Sequence, residues 1–149
     1  MAGPDPVATV KAGLERLPRQ FFRAVSFNAG ESPEYDRIYS LFIERGLLIK
    51  NVGATLEILS VQEFIESRQA MFRSGELSSF LEEELSGVTQ IFGNVAHRFS
   101  AYSKAGTMKG TSFAARGMVS TQCILTPGGW KMSAMAWDDE RPGLSLPVV

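Results

Sequence analysis

Proton exchange near neutrality without a large shift needs a histidine, and a carboxylate beside it would orient the ring. His97 is the only histidine in the chain, and Asp138 is the candidate carboxylate. Asp138 opens the run Asp138-Asp139-Glu140 at the end of the stretch GGWKMSAMAWDDER, residues 128 to 141. A lone histidine in a strand is more often a satisfied structural residue, and an acidic run at a strand end is more often solvated. The catalytic and the structural readings of both residues therefore stand side by side. Tyr102, Tyr39 and Tyr35 could each donate a hydrogen bond to a substrate oxygen. Tyr35 and Tyr39 also fit as amphipathic edge residues of a helix. Glu82-Glu83-Glu84 resembles a metal site only on paper, because consecutive strand residues point to opposite faces, and it is expected to be a solvated or edge-protecting segment. Gly128-Gly129 is a turn with no helix after it to cradle a phosphate. Cys123 has no adjacent base and is expected to be a small core residue.

These side chains need elements to hold them. Asp5 caps a helix with Pro6 at its first position, and Val7, Val10, Leu14 and Leu17 recur at helical spacing until Pro18 interrupts. Phe21, Phe22, Val25 and Phe27 extend the apolar run to Asn28-Ala29-Gly30. Ser32-Pro33 is expected to open a second helix, with Ile38, Leu41, Phe42 and Arg45 on one face and Gly46 as its stop. Ser60 and Glu63 form a capping box and Leu59 and Phe64 a hydrophobic staple for a third helix ending before Gly75. Residues 47 to 51 and 56 to 59 predict a short hairpin. From residue 79 the period becomes two, over about 79 to 92, 94 to 104, 111 to 126 and 129 to 138, with divisions at Gly93, Lys104-Ala105-Gly106 and Pro127-Gly128. Helices first and a long antiparallel meander afterwards make an α+β domain.

Composition narrows the partners. The 149 residues, 44% hydrophobic with ten Phe, suit one domain spanning 1 to 149. Fifteen basic against sixteen acidic side chains leave a net charge of -1, which offers no field for nucleic acid or anionic lipid. Apolar runs fall short of the roughly 18 residues a membrane span needs, so a cytoplasmic location is expected. One cysteine and one histidine hold neither an internal disulfide nor a structural zinc; no metal and no cofactor is expected.

The order helix, helix, short hairpin, helix and four long strands closing on GGWKM resembles the nuclear transport factor 2-like superfamily, in particular its SnoaL-like members with a cystatin-like fold. The resemblance covers about residues 15 to 141 and is carried by Tyr35 to Gly46, Ser60 to Phe72, Phe92-Gly93-Asn94-Val95-Ala96 and Gly128-Gly129-Trp130-Lys131-Met132. It implies a cone in which three N-terminal helices pack in the concavity of a strongly curved, mainly antiparallel sheet around a cavity, with dimers formed through the outer sheet face. The superfamily includes isomerases, dehydratases, epoxide hydrolases, polyketide cyclases and binding modules, so it does not select a function. It also places polar site residues near Asn51 and Glu57, although the strand Leu47 to Asn51 lacks the carboxylate base of the isomerases.

Alternation then assigns faces. With Pro127-Gly128 as the turn, Leu125, Cys123, Thr121, Val119, Trp130, Met132, Ala134 and Ala136 share the more apolar face, taken as inner, and Gly117 stands opposite Asp138. The set Val95, His97, Phe99 and Ala101 is less polar than Ala96, Arg98, Ser100 and Tyr102 and is expected inside, so Tyr102 points inward only if a bulge intervenes. The leading expectation is a protein binding a small hydrophobic or aromatic molecule in an apolar cavity, with Tyr102, Asn51, Phe99, Val119, Thr121 and Met132 as ligand contacts. The first alternative is a cofactor-free isomerase, dehydratase or polyketide-cyclase-like enzyme using His97 and Asp138; the second is a non-catalytic interaction module. A homodimer is expected through Arg116, Met118, Met135 and Trp137 on the outer face. Trp130 is expected to pack against Phe64 or Met71.

Overall fold

The computed structural model describes residue 3 and residues 5–147. Helix α1 runs Pro6–Val25, α2 runs Val61–Arg73, and six strands follow the order β1 Phe42–Lys50, β2 Glu57–Ser60, β3 Leu77–Phe92, β4 Val95–Met108, β5 Thr111–Thr126 and β6 Gly129–Asp139. They form one open sheet in the spatial order β2-β1-β6-β5-β4-β3, with every pairing antiparallel except β1 with β6. The architecture is the expected α+β cone. The helices cover the concave face, and their aromatic side chains Phe21, Phe22 and Phe64 meet Phe42, Phe80 and Met135 in a single core.

Local chemistry explains most boundaries. Asp5 accepts from the Val7 amide at 3.0 Å and caps α1. The capping box of α2 is complete: the Glu63 amide donates to the Ser60 hydroxyl at 3.1 Å and the Ser60 amide to the Glu63 carboxylate at 2.9 Å. Lys109 and Gly110 both adopt positive φ, 51° and 79°, giving the β4–β5 hairpin a turn that matches the twist of its strands. That moves the turn four residues beyond the expected Lys104-Ala105-Gly106 division.

Two helical expectations are corrected. Pro18 does not interrupt α1; it sits buried inside the helix, which continues because Phe21, Phe22 and Val25 bury one turn later and offset the lost amide bond. The second helix is only a 3-10 turn, Tyr35–Ser40, after which the chain enters β1. Leu47, Leu48 and Ile49 alternate across the sheet, and pairing with β6 on one side and β2 on the other overrides the helical spacing of Ile38, Leu41 and Phe42.

Bulges decide which way the long strands face. In the β5–β6 ladder Thr126 pairs with Gly129 and Cys123 with Met132 as expected, but a bulge at Ser133 shifts the register, so Gln122 pairs with Ala134 and Thr121 with Met135. Beyond it Met135, Trp137 and Asp139 face inward and Ala134, Ala136 and Asp138 outward, the reverse of strict alternation. Gly117 consequently opposes Asp139, not Asp138. In β4 the inner set is Ala96, Arg98, Ser100 and Tyr102, while Val95, His97 and Phe99 are exposed. Polarity misassigned this face because its polar members are satisfied within the protein.

Candidate functional site

Between α2 and the inner sheet face lies a cavity of about 590 Å³ walled by Leu48, Phe64, Met71, Phe80, Phe113 and Trp137. Lys50 and Glu57, from the β1–β2 hairpin, also line it, as do Arg68, Lys104 and Asp139. A recess of about 20 Å³ bounded by Phe64, Arg68, Phe80, Lys104 and Trp137 as well continues toward Glu82, Tyr102, Val119 and Met135. Apolar walls and a few convergent polar groups are the usual make-up of a small-molecule site.

The polar end is built from four elements. Tyr102 on β4 donates its hydroxyl to the Asp139 carboxylate and lies 3.0 Å from the Asp138 carbonyl oxygen on β6. Gly117 makes this approach feasible, since a Cβ there would lie 2.3 Å from the Tyr102 hydroxyl and 2.2 Å from the Asp138 carbonyl. Lys104, also on β4, pairs with Asp139 at 3.0 Å, and its ammonium lies 5.5 Å from the Tyr102 ring centroid. Burial pushes the Tyr102 phenol far up, and the neighbouring Asp139 carboxylate adds to the effect, so Tyr102 stays a proton donor. Glu82 on β3 faces inward opposite Lys104. Burial raises its pKa to about 7 against the pull of Arg68 and Lys104, with Asp139 pushing the same way as burial. Arg68 on α2 lies 4.9 Å from the ring centroids of both Phe64 and Phe80.

A second polar cluster sits under α1. Arg98 donates to both Glu84 carboxylate oxygens at 2.9 and 2.6 Å and to the Thr89 hydroxyl at 2.7 Å, while Ser100 donates to Glu84 at 2.8 Å. Burial pushes Glu84 up, but the Arg98 and Ser100 hydrogen bonds and the Arg98 and Arg19 charges more than offset it, and its pKa ends below the ordinary carboxylate value. Gly87 leaves room for the guanidinium; a Cβ there would sit 2.6 Å from it. Ion pairs of Glu84 with Arg19 at 3.5 Å and of Arg98 with Glu15 at 3.8 Å tie this cluster to α1, and its role is structural.

The expected site residues separate. Tyr102, Val119, Thr121 and Met132 are on the inner face and buried, with Tyr102 and Val119 lining the recess. Phe99 is 53% exposed on the outer face, and Asn51 is exposed, its backbone N–H donating to the Trp137 carbonyl at 3.0 Å. His97 and Asp138 do not meet. His97 points out of the convex face within 2.7 Å of the Gln90 side chain, and Asp138 pairs with Arg141 at 2.7 Å, which lowers its pKa. Their pairing as a proton shuttle in the cavity is overturned by the faces they occupy. Met135 and Trp137 are likewise inner residues, leaving only Arg116 and Met118 of the expected interface set outside. Trp130 is partly buried against the core, whereas Trp137 makes the edge-to-face contact with Phe64 at 6.5 Å.

Sequence reasoning missed Glu82, Arg68, Lys104 and Asp139. The spacing Glu82-x-Glu84 does place two carboxylates on one strand face, a signal hidden by treating the three glutamates as a block. Burial raises the Cys123 thiol to about 11, in keeping with an inert core residue. Among the described residues no group of His, Cys, Asp and Glu is arranged to hold a metal ion, and no helix is long and apolar enough to cross a membrane.

No protein-family profile and no curated protein matches the sequence. Solved structures do match. A nuclear transport factor 2-like superfamily protein from Salmonella enterica superposes with a TM-score of 0.72 over 95% of this chain and 99% of its own, at 13% identity. A scytalone dehydratase-like protein from Novosphingobium aromaticivorans gives 0.70 over 90% and 86% at 9% identity. A ketosteroid isomerase-like protein from Erwinia carotovora gives 0.63 over 94% and 100% at 17% identity. Similarity at this level establishes the fold and is silent on activity.

Proposed function

We propose that this chain, which has the nuclear transport factor 2-like cone fold, binds one compact, largely apolar or aromatic molecule carrying an oxygen function. The observation that carries this reading is the cavity of about 590 Å³, aromatic on its walls and polar at one end. Its volume falls in the usual range for small-molecule sites. 2-Naphthol serves as a probe, its ring against Met71, Phe113 and Trp137 and its hydroxyl toward Asp139 and Lys104. Calorimetric titration should give saturable binding that Met71→Trp, which fills the cavity, abolishes without lowering the unfolding temperature. Binding unaffected by Met71→Trp would place the ligand elsewhere.

A second reading, a cofactor-free enzyme, is favoured by one observation: Glu82 titrates near 7 on the recess that Tyr102 also lines. A base poised at neutrality beside a phenol donor suits proton removal next to a carbonyl, the step isomerases, dehydratases and cyclases share. Here Glu82 takes the proton, and Tyr102 turns its one hydroxyl proton from Asp139, which Lys104 keeps paired, to the developing oxyanion. Exchange of the α-protons of 2-tetralone for deuterium, followed by NMR, tests it. Glu82→Gln should slow catalysed exchange by about a hundredfold or more; an unchanged rate removes this reading. An interaction module using the cone only as a scaffold has no need of such a cavity.

The convex face supports a homodimer with a changed set of contacts. Val88, Phe92, Val95 and Phe99 stand exposed on β3 and β4, with Phe92 at 87%. Beside them Ser120, Ala134 and Ala136 form a shallow strip of small side chains on β5 and β6. Large residues next to a small-residue strip complement themselves about a twofold axis. Sedimentation at micromolar concentration should show a dimer that Phe99→Glu converts to monomer; a monomeric wild-type chain removes the interface.

A further inference from the structure

The inner cluster contains a cation with no matching anion. Lys104 is paired with Asp139, Arg98 with Glu84 and Arg116 with Glu140, but among the described residues Arg68 has no carboxylate within ion-pair distance. Its Nη1 is buried and lacks a hydrogen-bond partner. Glu82 and Glu57 are the carboxylates whose charges bear on it, and the buried Tyr35 hydroxyl, itself without a hydrogen-bond partner, stands close enough to interact with it. Tyr35 is a phenol whose pKa burial raises, so it carries no charge at neutral pH, and Glu82 is about half protonated there. A buried guanidinium with an open donor is costly unless something completes it. Phe64 and Phe80 hold it in place, and it lines both the cavity and the recess. Lys50 and Lys104 add positive charge to the same cavity, against Glu57 and Asp139.

We infer that the cavity selects a carboxylate-bearing apolar or aromatic molecule, with Arg68 as the group that receives the carboxylate. A guanidinium offers a planar pair of donors that a carboxylate matches in bidentate fashion, and the two phenyl rings restrict it to one orientation. The apolar body of the ligand then lies along Met71, Phe113 and Trp137. Glu82 competes for the same cation whenever it is ionised, so the wild-type site binds an anion better as Glu82 is protonated. The groups that bear on Glu82 are Arg68 from α2, Lys104 from β4 and Asp139 from β6.

This inference rests on the small-molecule reading above and narrows its ligand class. Calorimetry with 2-naphthoate and with its neutral counterpart 2-naphthamide separates the two. The wild-type chain should bind the acid at least about tenfold more tightly than the amide, the value of one charge-assisted hydrogen bond or more. Arg68→Met, which keeps the stem between the two rings, should erase that difference while leaving amide binding in place. Glu82→Gln should tighten acid binding at pH 8 and flatten its pH dependence. Equal affinity for acid and amide in the wild type, or a preference for the acid that survives Arg68→Met, overturns the carboxylate site and leaves the small-molecule reading standing. Failure of both probes to bind overturns both.

Discussion

Glu84→Leu should destabilise the fold by about 3–5 kcal/mol, because it strips the buried Arg98 guanidinium of its close bidentate partner and leaves only the half-exposed Glu15 carboxylate at 3.8 Å. The Glu84 and Arg98 side chains are almost fully enclosed, at 4% and 5% exposure, so solvent cannot replace the lost partner. A domain of ordinary stability has only about 5–15 kcal/mol to lose. The double variant Glu84→Leu with Arg98→Met should regain most of the loss, since a buried pair replaced by apolar side chains of similar volume is often neutral or better. Urea unfolding read by tryptophan fluorescence measures both, and a single variant within 1 kcal/mol of wild type would show that the pair is not desolvated in solution. The pH dependence has a definite sign. The folded pKa of Glu84 lies below its unfolded value, so its contribution is present above the unfolded pKa and disappears as pH falls through the folded one. Glu82 acts oppositely. Its folded pKa of about 7 exceeds the ordinary 4.5, so it favours the folded state at acid pH and that contribution is lost as pH rises through about 7. Glu84→Leu should therefore flatten the acid limb of the stability curve and leave the decline toward pH 7 in place.

The same two glutamates show where the sequence was legible and where it was not. Elements announced by backbone chemistry were readable: the Asp5 cap, the Ser60–Glu63 capping box, the existence of the four long strands and the Pro127-Gly128 turn follow from residue types, whereas the β4–β5 turn lies at Lys109-Gly110 and not at Lys104-Ala105-Gly106. Faces were harder, because they follow from register, and register changes with one inserted residue. Ser133 gives no local sign of a bulge, yet it exchanges Asp138 for Asp139 and turns Trp137 from surface to cavity wall. His97 was misplaced for another reason. The rule that the less polar face is buried assumes that polar residues seek water, whereas Arg98, Ser100, Thr89 and Glu84 satisfy one another inside. Counting from the Gly93-Asn94 turn pairs Thr89 with Arg98 and Gly87 with Ser100, so a missing side chain falls beside a long cation on one face. That cross-strand pairing is the signal that points Arg98, and with it Tyr102, inward.

Trp137→Ala should be among the most damaging single changes, with a loss of about 3–5 kcal/mol. The bulge at Ser133 brings Trp137 onto the inner face opposite Val119, and there its ring meets Phe64 edge-on, with the ring planes 88° apart. Truncation removes a large apolar area and an aromatic pair, and it enlarges a cavity that α2 and the sheet cannot close, because Phe64 is also fixed by Phe21 at 5.7 Å. Two outcomes should therefore coincide: a lower urea midpoint and weaker binding of 2-naphthol, since the same ring forms a wall of the site. Trp137→Phe should restore much of the stability while changing the preferred ligand size. Trp137→Glu, which a surface location would tolerate, should prevent folding outright. A folded Trp137→Glu chain would place this side chain outside, and would return the inner face beyond Ser133 to Ala134, Ala136 and Asp138.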